Sequence, residues 1–151
     1  MADSSPQPGI RRGDSNDMPA VLALLQSAGL PTSDLSSAQQ LQLWVLQSDS
    51  LQGVIALEHF GSEALLRSLA VAPECRRRGI GHQLVARLEH DAYAGGIQRL
   101  ILLTETAQAF FRALDYQVID RQAVGDAVKQ SAEFRSLCPA SAVCMSKTLQ
   151  S

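Results

Sequence analysis

At 151 residues the chain can bury a core of its own and is the size of one domain. A formal net charge of −2 leaves no basic footprint for nucleic acid or an anionic membrane surface. No apolar run approaches a membrane span, the opening MADSSPQPG has no signal pattern, and Cys75, Cys138 and Cys144 lack disulfide or zinc spacing. The expectation is a soluble cytoplasmic domain with free thiols, without a nucleic-acid or membrane partner and with homodimer formation left open.

Residues 1–9 read as a frayed lead-in and 10–151 as the single domain. Ile10 to Arg12 is a short strand. Asp14 or Ser15 caps a helix with Pro19 in its first turn; Val21, Leu22, Leu24, Leu25 and Ala28 mark its buried face, and Gly29 ends it. The polar stretch GLPTSDLSSAQQ follows. Leu43–Gln47 and Leu51–Phe60 form a hairpin about Ser48-Asp49-Ser50, and Gly61-Ser62 turns the chain into a third strand. Past Gly95-Gly96, the run Leu100 to Leu103 suits a strand buried on both faces. Ala107, Phe110, Phe111 and Leu114 form a helical stripe. Tyr116 to Ile119 is a strand, Ala123 to Phe134 a helix and Ala142 to Thr148 a last strand. The pattern is α+β, a mixed and mostly antiparallel sheet flanked by helices.

The segment from Leu65 to Ala94, LLRSLAVAPECRRRGIGHQLVARLEHDAYA, organises the rest. An apolar strand stops at Pro73, a turn rich in Arg and Gly follows, and Ile80, Leu84, Val85 and Leu88 then recur at helical spacing. Glycines allow a tight turn and a close backbone approach, and the amides of a helix N-terminus favour an anion. Arg76-x-x-Gly79-x-Gly81 thus reads as a pyrophosphate cradle; the plain alternative is a solvated basic turn. It is neither a P-loop nor G-x-G-x-x-G.

As it stands, L-R-S-L-A-V-x-P-x-x-R-R-R-G-I-G resembles the acetyl-CoA motif of the GNAT superfamily of N-acetyltransferases. The resemblance runs from about Ile10 to Leu149 and is most specific from Leu65 to Tyr116. It implies a sheet with two parallel strands, Leu65–Val71 and Leu100–Thr104, splayed at its centre around pantetheine. Backbone groups of Leu69 and Val71 would pair with pantetheine amides, and an N–H there would polarise the thioester carbonyl. The implied cofactor contacts are Leu69, Ala70, Val71, Arg76, Arg77, Arg78, Gly79, Ile80, Gly81, His82, Thr104 and Phe110. The acceptor end would involve Arg67 and Phe111. Arg67 either meets an anionic group of the acceptor or points to solvent. His82 either touches a phosphate or is simply exposed.

The chain departs from the family pattern at three places. Thr104 stands where relatives place Asn, Asp115-Tyr116 replaces Gly-Phe with Tyr116 expected to be half-buried, and Phe111 fills the slot where many relatives carry a tyrosine acid. No catalytic acid or base is identified. The tail from Glu133 to Met145 looks like that of a GNAT subgroup associated with arsenic-resistance gene clusters. Its cysteines are either core hydrophobes or thiol ligands. His59, His82 and His90 show no metal-ligand spacing, and no metal is expected.

The resulting expectation is acetyl transfer from acetyl-CoA, as co-substrate, to the primary amine of a small molecule, amino-acid-like or arsenic-containing, by direct attack in a ternary complex. The alternatives are a non-catalytic acyl-CoA sensor of the same fold and a thiol-based metalloid binder.

Overall fold

The computed structural model describes residues 10–30, 32, 41–76, 78–131, 134 and 141–149. The expected lead-in, most of the polar stretch after the first helix, Arg77 and Cys138 lie outside them.

The described strands are β1 (Ile10–Arg12), β2 (Leu41–Gln47), β3 (Leu51–Phe60), β4 (Glu63–Val71), β5 (Arg99–Thr104), β6 (Gln117–Val118) and β7 (Val143–Thr148). They form one sheet in the order β1-β2-β3-β4-β5-β7-β6, antiparallel except for β4 with β5. The helices are α1 (Met18–Ser27), α2 (Ile80–Ala94), α3 (Gln108–Ala113) and α4 (Asp126–Lys129).

Local chemistry accounts for the entry into α1. The Asp14 carboxylate accepts from the N–H of Asn16 at 2.9 Å, while Asp17 accepts from the N–H of Asp14 at 2.9 Å, a reciprocal cap on a 3-10 turn leading into the helix. Gly29, at φ +73°, stops it in the left-handed region. Val21 and Leu25 are fully buried, whereas the expected Ala28 is exposed, because it lies beyond the last helical turn.

Alternation along β3 divides the core. Ile55 and Leu57 face α2 and join Trp44, Leu66, Leu100, Leu102, Leu84 and Leu88. Val54 and Ala56 face the other way, toward Val21 and Leu25 of α1. Further along that second face, Leu65, Ile101 and Cys144 meet Val124 and Val128. Each fully buried Leu contributes about 1.5–3 kcal/mol. Helix α2 lies close because β3 carries Gly53: a Cβ there would sit 2.9 Å from Leu84 Cδ1 and 3.1 Å from Ile80 Cγ2.

Among the described residues the helix expected over Ala123–Phe134 is not continuous. The chain makes a 3-10 turn at Arg121–Ala123 and the four-residue α4, and Phe134 lies in a π-helical turn. Val124 and Gly125 are extended, at ψ 162° and 157°, which parts the two turns; Asp120 takes the N–H of Gln122 at 2.8 Å and Glu63 that of Gly125 at 2.9 Å, so each short turn starts on its own acceptor. Glu63 also accepts from Arg99 Nε at 2.8 Å, which ties this segment to the sheet.

Candidate functional site

The parallel strands pair only at Glu63↔Arg99, Ala64↔Leu100 and Leu65↔Ile101, although β4 runs on to Val71 and β5 to Thr104. The divergence accompanies a β-bulge. Val54 pairs with Ala70 and Ala56 with Arg67, so Ser68 and Leu69 together face Ile55. Such an insertion bends the strand that carries it. Ser68 takes up the bend at φ +60°, a conformation that costs a non-glycine residue about 1–2 kcal/mol.

Where the strands part, a cavity of about 160 Å³ opens. Its walls are Leu66, Arg67, Ser68 and Leu69 of β4, Leu102, Leu103 and Thr104 of β5, and Thr106, Ala107, Phe111 and Leu30. Leu66, Leu102 and Phe111 belong to the core on the α2 face, while Leu103 and Leu30 pack with the clusters of the opposite face. The cleft therefore reaches both faces of the sheet. Backbone groups no longer spent on the β4–β5 ladder border it, which suits a ligand that carries amides of its own.

The Arg- and Gly-rich turn continues directly from β4. Arg76 Nε donates to the carbonyl of Val71 at 3.2 Å, fastening the turn to the strand end. Gly79 precedes α2 at φ +76° and has no side chain with which to cap it, so among the described residues the first amides of the helix face outward for another acceptor. Gly81 serves packing: a Cβ there would lie 3.2 Å from Phe110 Cζ. Val71, Cys75, Arg76, Gly79, Ile80, Gly81, His82 and Phe110 enclose a second cavity of about 290 Å³. His82 is exposed and meets Phe110 edge-on at 5.0 Å.

Thus Val71, Arg76, Gly79, Ile80, Gly81, His82 and Phe110 are brought together at the turn, and Arg67, Leu69, Thr104 and Phe111 at the parted strands. The methyl of Ala70 packs on the α1 side. Arg78 is exposed at the turn. The Thr104 hydroxyl accepts from the N–H of Ala107 at 3.0 Å, opening α3, and keeps its own proton to donate.

Phe111 is 5% exposed and meets Phe110 and Tyr116 edge-on. Tyr116, expected half-buried, is fully buried, because α2 and β7 close over it: its hydroxyl donates to Glu89 Oε2 at 2.8 Å, and Lys147 bonds Glu89 Oε1 at 3.0 Å. Burial first, then the Glu89 charge, raises the phenol above its ordinary range. Tyr116 therefore stays neutral and donates to Glu89, and it does not replace the missing tyrosine acid.

Arg67 does not point to solvent. The residue is 3% exposed, and Nη1 lies 3.2 Å from Glu58 Oε1. Glu58, with Ser68, was not singled out from the sequence, although a signal existed: in LQGVIALEHF it falls in phase with the inward-facing Val54 and Ala56. Cys75 and Cys144 are both buried, in different clusters. Burial is the main cause that pushes the Cys144 thiol up to about 11. Among the described residues no group of three or more His, Cys, Asp or Glu could hold a metal ion.

The acetyltransferase (GNAT) domain model matches residues 39–118, just over half of the 151. No protein of curated function matches the chain. Among solved structures it is similar to Rv2747 from Mycobacterium tuberculosis in complex with CoA and NLQ, with TM-score 0.80, 25% identity and coverage of 95% of this chain and 100% of that one. It is also similar to N-acetylglutamate synthase from Neisseria gonorrhoeae complexed with coenzyme A and N-acetyl-glutamate, with TM-score 0.78 and 20% identity, covering 94% of this chain but 35% of the synthase. PaiA N-acetyltransferase from Thermoplasma acidophilum in complex with coenzyme A gives 0.68 at 17% identity, covering 92% of this chain and 97% of that one. The last two likenesses speak to fold alone. The domain match, over the residues that build both the cleft and the turn, makes this chain a member of the GNAT acetyltransferase family.

Proposed function

We propose that the protein transfers acetyl from acetyl-CoA to the primary amine of a small molecule by direct attack in a ternary complex. The observation that carries this reading is the loss of β4–β5 pairing beyond Leu65↔Ile101, which opens a through-sheet cleft beside the Arg76–His82 turn. The CoA pyrophosphate would rest on the amides of that turn and pantetheine would follow β4 into the cleft. The amine would enter from the α1 face. Its lone pair forms the C–N bond while the carbonyl π pair moves to oxygen, toward a backbone N–H at the Leu69 bulge. Collapse of that intermediate breaks the C–S bond, the thiolate leaves with the electron pair, and the nitrogen gives its proton to water. Holding both reactants contributes through proximity.

An amino-acid-like acceptor is favoured by the N-acetyl-glutamate held in the Neisseria synthase structure. The arsenic-linked reading gains no support from the described residues, since Cys75 and Cys144 occupy separate clusters. The buried thiols fit a reducing compartment such as the cytoplasm. Phe111 in the family's tyrosine slot favours one second reading, an acyl-CoA sensor without turnover.

The two readings part in a paired experiment. Calorimetry with acetyl-CoA establishes binding, and thiol release is then followed across a panel of primary amines. Release of CoA matched by N-acetylated product supports transfer. Tight binding with no release from any amine would leave the sensor.

A further inference from the structure

Two costs fall on adjacent residues of the cleft. Ser68 holds a left-handed backbone, and its buried hydroxyl has no hydrogen-bond partner among the described residues. Its neighbour Arg67 is a buried cation set between two apolar clusters, facing Glu58. A buried ion pair adds little net stability over apolar residues of the same size, and a buried hydroxyl without a partner subtracts from it. Strain and unmet polarity that gather at one cavity mark a site whose partner is a ligand.

The chemistry of that partner follows from the groups. Arg67 brings positive charge and N–H donors, held beside Glu58, and Ser68 adds an O–H donor. Parity places Arg67 on the face of Ala56 and Leu65, away from the face of Leu66 and Phe111. We propose that Arg67 and Ser68 form a carboxylate subsite at the end of the cleft opposite Phe111, positioned by Glu58, so that the acceptor is an amine bearing a carboxylate. This rests on the transfer reaction proposed above. The Arg67 side chain has no surface open to bulk water, so the carboxylate enters by parting the residues that close over it and is desolvated on arrival. Charge-assisted hydrogen bonds are strongest in that setting. The planar fork of a guanidinium suits two carboxylate oxygens, which a lysine would not match.

The test compares matched pairs: several amino acids, each with the amine that remains when its carboxyl is replaced by hydrogen. The intact protein should favour the amino acid in kcat/KM by on the order of 10–100-fold. Arg67→Met should collapse that ratio by raising the amino-acid KM, with the KM for acetyl-CoA unmoved. Ser68→Ala should reduce the ratio by about 5-fold. Glu58→Gln should raise the amino-acid KM more than it lowers kcat, a split that a merely loosened fold would not give. Should Arg67→Met fail to fold, Glu58→Leu/Arg67→Met removes both charges together, and acetyl-CoA binding certifies its structure. Calorimetry of the same amino acids on the CoA-loaded protein supplies a readout independent of turnover. Arg67-dependent binding without CoA release would keep the subsite and reject the transfer reaction. Transfer with matched pairs used equally, or amino-acid binding indifferent to Arg67, would overturn the subsite.

Discussion

Phe111 lines the cleft where many relatives of this family place a phenol, and a phenyl ring has no proton to give. The reaction needs none in principle, since an ordinary cysteine thiol ionises near pKa ~8.5 and a thiolate departs unprotonated at neutral pH. A general acid contributes on the order of 10²–10⁴-fold, so its absence slows transfer without abolishing it. Phe111→Tyr adds one oxygen to a ring already bordering the cavity, and its kcat should equal or exceed that of the parent. If neither form releases CoA with any amine, the protein is not an acetyltransferase. Asp115 makes a different point. It occupies the glycine slot of the family pattern and holds φ +76°, which Asp tolerates better than most residues. Relief of that backbone cost outweighs the added chain entropy, and Asp115→Gly should stabilise by about 0.5–1 kcal/mol. A thermal melt should show a rise of about 1–4 °C.

The turn between β4 and α2 separates two uses of glycine. Gly79 has open space about it and is needed for its left-handed φ, whereas Gly81 makes room for Phe110. Gly79→Val and Gly81→Val should each weaken acetyl-CoA binding by calorimetry, more than Arg78→Ala does, because Arg78 is an exposed charge. Equal affinity in both glycine variants would remove the turn from the cofactor site. A second element-level device is Glu63, which joins Arg99 to the amide of Gly125. Glu63→Ala should free the Gly125 amide to exchange with solvent and lower stability by about 1.5–3 kcal/mol, the worth of a hydrogen bond to a charged group. Unchanged protection of Gly125 in hydrogen exchange would show that the segment is held by Val124 and Val128 alone.

Over the whole molecule, buried neutral groups set the alkaline limit. The Cys144 thiol is pushed up to about 11, mainly by burial, and Tyr116 moves in the same direction. Each stays protonated in the folded chain at a pH where the unfolded chain has begun to ionise. Their contribution to stability is thus fully present below the unfolded thiol pKa of about 8.5 and is lost as pH rises toward the folded value. Melting temperature should fall from about pH 9 upward, and Cys144→Ala should make the alkaline decline shallower. A decline of the same slope in that variant would place the cause elsewhere. At the acid end, Asp17 is held at about 2, first by its hydrogen bond to Arg11, and that contribution is lost only as pH falls through the folded value. The pair is exposed enough that its share is small.

How much could be read in advance depended on the reach of the interaction. Helix α2, the β2–β3 hairpin and the Gly79 turn are written in short-range terms, namely apolar period, turn residues and glycine spacing, and these determined the elements and the family from sequence alone. The predicted 123–134 helix is parted by extended backbone at Val124 and Gly125, and the Gly125 amide is held there by Glu63, more than sixty residues away in the chain. The burial of Tyr116 was decided by Glu89 and Lys147 on other elements. Ser68 looked like an ordinary strand residue, and only the pairing of β4 with β3 shows that it sits in a bulge. Arg67 stood out as a charge in an apolar strand, but whether it faced water or the cleft depended on which residue lay across the sheet. Directly across lies Ala56, with Glu58 next along the same face of β3 to meet the guanidinium, and cross-strand register is a property of the assembled sheet, because shifting a strand by one residue turns every side chain to the other face.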